Sequence, residues 1–279
     1  MDRSRPAGHQ PSDPVSVDSS LPGNHREHGL QAAFDAQAAA VHDLEHRLVA
    51  TARRTRQIEH DLLPAWLRPS EGEHRWPMGL AVVAAIGLQL SLPANLAIRP
   101  RFVLPTLEAV LLIGLFLASP GRIKHHSAAI HTAVLSLLAL VSLDNTVSAG
   151  LLVHEIIIGR ATHAGALLVQ GAAIWATNVI VFALWYWQFD RGGPASRAHV
   201  QRKHPDLLFP QMAQPEVASS DWEPAFFDYL YTSFTNAAAF SPTDTMPLSR
   251  WSKALFLSQS AVSLITVALV ISRAVNIFK

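Results

Sequence analysis

Apolar positions along the chain follow two patterns. Between Leu30 and Leu62 they recur at alternating steps of three and four: Leu30, Phe34, Val41, Leu44, Leu48, Ile58 and Leu62, with Gln37, Thr51 and Thr55 at the remaining seam positions. That spacing puts them on one helix face. It predicts a cytoplasmic amphipathic or coiled-coil helix and linker over 30–75, with Pro64 closing the run. Such a face either seams a coiled coil that sets the oligomer state or lies against a membrane surface or the rest of the chain. From residue 76 the pattern changes to nearly continuous apolar runs, broken by short basic loops as far as 187.

A membrane-crossing helix needs about 20 apolar residues, with about 17 as a lower limit. Four segments meet this before residue 190. They are about Pro77–Ile98, about Phe102–Ser119, a long one near Ser127–Ile158, and about Ala164–Trp187, which ends in the aromatic cluster Trp185-Tyr186-Trp187 suited to a headgroup belt. A polar loop occupies 188–223. The last crossing helix, about Ala254–Ser272, sits between Lys253 and Arg273. The predicted fold is therefore all-α: a polytopic membrane helix bundle of five or six transmembrane helices, preceded by a helical tail. Residues 1–29 are rich in Pro, Ser, Gly, Asp and His, and predict a disordered N-terminal stretch.

Composition narrows the chemistry. Of the 279 residues 49% are hydrophobic and 15% charged, and the charge concentrates ahead of residue 76. A soluble domain of this length would interleave charge throughout. A formal net charge of +1 gives no basis for nucleic-acid binding. The chain has no cysteine, which excludes disulfides and thiolate chemistry. His154-Glu155-Ile156-Ile157-Ile158 begins like a zinc-protease helix but lacks the second histidine. There is no nucleophile elbow, phosphate loop or dinucleotide fingerprint. No catalytic, cofactor or metal site is expected, and the chain does not read as an enzyme.

Residues 224–279 are the informative part. Asp228-Tyr229-Leu230-Tyr231-Thr232-Ser233-Phe234-Thr235 is an amphipathic run too short to cross a bilayer. Ala239-Phe240-Ser241-Pro242-Thr243-Asp244, then Pro247, then the last helix follow it. This order resembles the pore module of the potassium-channel superfamily: a short pore helix, an extended filter and an inner helix. The matching residues are Asp228, Leu230, Tyr231, Ser233, Phe234, Thr235, Asp244 and Pro247, with no gap. It is similar to bacterial channel-like membrane proteins whose filter is degenerate. The resemblance implies a pore-helix hairpin, an oligomer around an axis, an inorganic cation as partner, and a pore loop with Asn236, Ser241, Thr243, Asp244 and Thr245 as its polar residues.

The filter itself departs from that pattern. Ala239 to Thr243 stand where the superfamily has two glycines, whose positive φ turns successive carbonyls toward the ion. Pro242 fixes φ near −65°, so potassium selectivity is not expected.

Three further sets of polar residues interrupt the apolar runs. Gln259, Ser263 and Thr266, with Ser252 and Arg273, recur on one face of the last helix. They either line a polar pathway or hydrogen-bond neighbouring helices. Asp144 and Asn145 lie inside the third apolar segment, with Glu155 eleven residues beyond Asp144 on the same face, and Glu108 lies in the second. Carboxylates at membrane depth face a partner or a cavity by default, although Glu155 also suits the interface and Glu108 a partner in Arg99 or Arg101.

Lys and Arg near helix ends favour the cytoplasm. With the tail inside, that side holds Arg68, Arg75, Arg122, Lys124, Arg191, Arg197, Arg202 and Lys203, against Arg99, Arg101 and Arg160 outside. A multi-pass protein of the cell membrane with a cytoplasmic N-terminus follows. The same count places the 188–223 loop inside, where potassium channels present theirs outside. Either residues 224–240 cross fully, or the hairpin enters from the cytoplasmic face. The expected function is channel-like, likewise oligomeric, with the lipid bilayer as its other partner. The alternative is a non-conducting scaffold or sensor whose tail binds a partner.

Overall fold

A computed structural model describes residues 37, 41–55, 63–118, 121, 123, 127–238 and 244–278. The chain divides into two compact units, Met1–Asp61 and Leu62–Lys279.

In the first unit residues 41–55 form helix α1, with every side chain exposed. Leu44 and Leu48 are 58% and 68% exposed. Thr51 and Thr55, the polar seam positions, turn their hydroxyls onto the carbonyls of Arg47 (2.8 Å) and Thr51 (3.0 Å) one turn back, the usual way such residues satisfy themselves in a helix. The outer seam positions Leu30, Phe34, Ile58 and Leu62, and the stretch 1–29 expected to be disordered, lie outside the described residues.

The second unit is mostly helical. Its main helices are α2 (Trp76–Ser91), α3 (Val103–Ala118), α4 (Ala128–Ile157), α5 (Ala164–Phe189), α8 (Phe226–Ala238) and α9 (Arg250–Phe278). Two short helices, α6 (Pro194–Ala198) and α7 (Pro210–Ala213), and two short strands, β1 (Leu207–Leu208) and β2 (Met246–Pro247), lie between α5 and α9. Among the described residues three helices are long and apolar enough to cross a membrane: α4, α5 extended to Gly192, and α9. The 30 residues of α4 span about 45 Å, whereas the 16 of α2 and of α3 reach only about 24 Å. The first apolar segment ends early because Leu92 precedes Pro93 and turns extended, at φ −70° and ψ 145°.

Helix α5 lies at the centre, packed against α2, α4, α8 and α9, while α3 covers α2 and α4. One apolar cluster fills the end where α2 starts and α5 stops, around Met78, Leu137, Leu184 and Trp187. A second fills the opposite end, around Leu96, Leu152, Leu167 and Val270. At Gly171 the bundle is so close that a Cβ would sit 2.9 Å from the Val270 methyls of α9.

Helix α8 does not continue away from α5. Its ends are tied by the antiparallel pair β1–β2, Leu207 opposite Pro247 and Leu208 opposite Met246. The chain therefore descends along α8 and comes back to the end of the bundle from which it left. There Trp251, on the first turn of α9, stacks edge-on against Phe189 at the close of α5. At the opposite end of α9, Arg273 donates from Nε to the Ala161 carbonyl (3.1 Å), in the α4–α5 turn.

Candidate functional site

Polar side chains gather at three levels of the bundle. The first is a cap over the end where α5 stops. Arg191, Gly192 and Gly193 follow Asp190 with φ of 51°, 82° and 94°. Glycine takes that region without steric cost, and Pro194 then starts α6 at its favoured first position. This sharp reversal buries Asp190 completely (0% exposed). Its carboxylate accepts from Tyr229 Oη (2.8 Å) and from the backbone N–H groups of Asp206 (3.0 Å) and Leu207 (3.2 Å). Asp206 in turn accepts from the Arg191 N–H (2.9 Å) and Trp251 Nε1 (3.0 Å).

Arg197 completes the cap. It donates to Glu73 from Nη2 (2.6 Å) and Nε (3.0 Å), and from Nη1 to the carbonyls of Trp187 (2.7 Å) and Asp190 (3.0 Å). Trp187 Nε1 donates to the other Glu73 oxygen. Burial pulls the Arg197 guanidinium down, but Glu73 and the neighbouring acidic groups outweigh this and hold it above its ordinary value. Beside the cap an open cleft of about 700 Å³ separates the ends of α4, α5 and α9, lined by His131, Gln188, Phe189, Arg202, Trp251 and Ser258 among others.

The second level clamps α8. Gln259 of α9 is fully buried and uses all its polar atoms: Oε1 accepts from Tyr186 Oη (2.6 Å) and Asn236 Nδ2 (2.8 Å), and Nε2 donates to Ser233 Oγ (2.6 Å) and the Ser233 carbonyl (3.0 Å). Ser233 Oγ donates onward to the Val179 carbonyl of α5 (2.6 Å). Ser260 Oγ donates to Asn236 Oδ1 (3.0 Å). Thr232 and Thr245 share a hydroxyl hydrogen bond (3.0 Å) that pins the chain returning from α8.

The third level lies in mid-bundle. Glu108 of α3 is 0% exposed, and its closest polar partner is Gln89 of α2, whose Nε2 donates to Oε1 at 3.5 Å. Asp144, Asn145 and Ser148 of α4 and Asn178 of α5 are also buried. Asp144 is close enough to act electrostatically on Glu108. Several atoms here have no hydrogen-bond partner: Gln89 Oε1, Glu108 Oε2, Ser148 Oγ, Asn178 Nδ2 and, on α9, Ser263 Oγ.

These positions sort the residues singled out by sequence. Asn236 belongs to α8 and to the clamp, not to a loop. Asp244 is exposed and Thr245 buried, and Tyr231 Oη reaches Asp244 Oδ2 at 3.4 Å. Ser241 and Thr243 lie outside the described residues. Gln259, Ser263 and Thr266 all turn inward, the orientation of helix–helix contacts. Glu155 lies near the end of α4, where Arg160 approaches to 3.8 Å, away from Asp144. Among the described residues no group of three or more His, Asp or Glu converges as a metal site. Sequence reasoning passed over the cap entirely. Its local signal was the string Asp190-Arg191-Gly192-Gly193-Pro194 directly after a long apolar helix. Compared with protein families, curated proteins and solved structures, the chain matches none.

Proposed function

We propose that this chain is a channel-like integral membrane protein of five crossing helices, in which α8 and the segment after it form a re-entrant hairpin that is not potassium-selective. One observation carries the reading: α8 lies between α5 and α9 and returns through the β1–β2 pair to the end it left. A pore module has the same order, a short helix held between an outer and an inner helix. The Lys and Arg count puts the tail on the cytoplasmic side of the cell membrane, so the hairpin enters from that face and α9 finishes on the other.

One hairpin per chain encloses a path for an inorganic cation only if several chains surround an axis. The exposed face of α9 suits that assembly. Ala254, Leu257, Ala261, Leu264, Ala268, Ile271 and Val275 are exposed at alternating steps of three and four, a small-and-large seam of the kind membrane helices pack with.

A second reading is a non-conducting scaffold or sensor whose tail binds a partner. It is favoured by the inward burial of Gln259, Ser263 and Thr266, which leaves the outward face of α9 largely apolar. Ion flux through liposomes holding the full chain, with oligomer size measured in the same preparation, separates the two. The channel-like reading expects an oligomer that passes potassium and sodium alike, with the rate altered by Asp244→Asn. Strong potassium preference overturns the filter argument, and a tight monomer without flux leaves the scaffold.

A further inference from the structure

The mid-bundle carboxylates raise a question of charge. Among the described residues no Arg, Lys or His pairs with Glu108 or Asp144, and both are enclosed by helices. Two bare carboxylates within electrostatic reach in an apolar interior are strongly unfavourable together. Something of positive charge has to offset them.

The orphaned atoms say what it is. Gln89 already turns its amide N–H₂ toward Glu108 Oε1. The two atoms of this pair left without partners are Gln89 Oε1 and Glu108 Oε2. Both are acceptors when Glu108 is ionised, so neither can satisfy the other. A single proton on Glu108 Oε2 changes this: the carboxyl becomes a donor, the amide oxygen accepts it, and the Nε2–Oε1 contact closes the second half of an acid–amide ring. One added proton thus removes one negative charge and two buried orphans together. We propose that Glu108 and Gln89 form a proton-binding site inside the bundle, with Asp144 as the carboxylate beside it.

The surrounding groups leave this assignment to Glu108. Helix α2 carries no titratable side chain between Trp76 and Ser91. On α4, Asp144 is the titratable group acting on Glu108. His131 lies thirteen residues before Asp144, about 20 Å along the helix, and His154 and Glu155 lie at the far end. Arg101, in the α2–α3 turn, is half-buried and directs Nη2 to the Leu90 carbonyl (2.9 Å). The inference is independent of ion conduction and needs only that the bundle be intact.

Infrared spectra of the full chain in liposomes test it, recorded across pH in light and heavy water. At neutral pH the expected result is a protonated-carboxyl carbonyl band that shifts in heavy water. It is lost in Glu108→Gln, displaced in Glu108→Asp and retained in Asp144→Asn. Glu108→Gln should also leave the thermal midpoint unshifted, since an amide pair keeps both hydrogen bonds. Two results would overturn the proposal. One is a neutral-pH spectrum without any band that the Glu108 variants alter. The other is a band abolished when sodium chloride replaces choline chloride, which would make a metal cation the offsetting charge.

Discussion

The cap and the mid-bundle both bury ionisable groups against α5 or its neighbours, yet they treat them in opposite ways. In the cap, Arg197 meets Glu73 directly and all three nitrogens of its fork donate. Asp190 accepts from two backbone N–H groups and a tyrosine. In mid-bundle Glu108 has one long contact and an orphaned oxygen. Buried charge that is fully paired holds a geometry, and removing one partner is then very costly. Buried charge that is left incomplete has capacity to take something up. The lesson is that burial alone does not mark a functional group; unmet hydrogen-bonding capacity does. By that criterion the Glu73–Arg197–Asp190 core of the cap is a fixture and the Glu108 level is the candidate site. At the cap's edge Arg191 Nε also lacks a hydrogen bond, but it lies 3.8 Å from the Asp190 carboxylate, so its charge is met.

The comparison breaks most easily at Arg197. Replacing it with Met keeps the stem but strands Glu73 and two carbonyls, so Arg197→Met should cost about 4 kcal/mol of stability. Reversible unfolding in detergent or bicelles measures this, and a loss under about 1 kcal/mol would show the cap to be ornamental. Gly193→Ala should follow at about 3 kcal/mol, because its φ lies in a region essentially reserved for glycine. The added Cβ would also meet the Gln188 carbonyl oxygen at 2.8 Å. Gln259→Leu should lose about 2 kcal/mol by leaving Asn236 and Ser233 short of partners. Its signature is local: hydrogen exchange should rise in α8 and not in α2 or α3.

Much of this fold was legible because its strongest signal is one-dimensional. Helices α4, α5 and α9 follow from unbroken apolar length, and the sequence-derived limits for α4 and α5 fall within two residues of those observed. Helix α8 was legible as a run too short to cross a bilayer. The return of the chain to the end of the bundle it left was not, because that contact is a two-residue ladder between 207–208 and 246–247. The carboxylates of mid-bundle stood out as charge inside apolar runs. Gln89 did not, since a lone amide in a helix is unremarked until its partner is known. The cap was invisible for a plain reason: Glu73 and Arg197 are 124 residues apart, and nothing in either segment names the other. The boundary at Leu62, ahead of Trp66 and Glu73, escaped for the same reason.

The smallest effect belongs to Glu155, and it sharpens the comparison from the other side. Glu155 sits on the same helix as Asp144 and on the same face by sequence, so a rule based on residue type and position would treat the two alike. The structure gives them different surroundings. Asp144 is enclosed among helices, whereas Glu155 faces Arg160 at 3.8 Å across the end of α4, and the Arg160 side chain is 72% exposed. An ion pair with one partner in solvent is screened and gains little over the hydration it replaces. Glu155→Gln should therefore change stability by less than about 0.5 kcal/mol, and raising the salt concentration should erase the difference. In the infrared titration the same substitution should leave the neutral-pH carbonyl band untouched. A large loss of stability in Glu155→Gln, insensitive to salt, would mean that this end of α4 is as enclosed as Asp144. The division between fixture and site would then have to be redrawn.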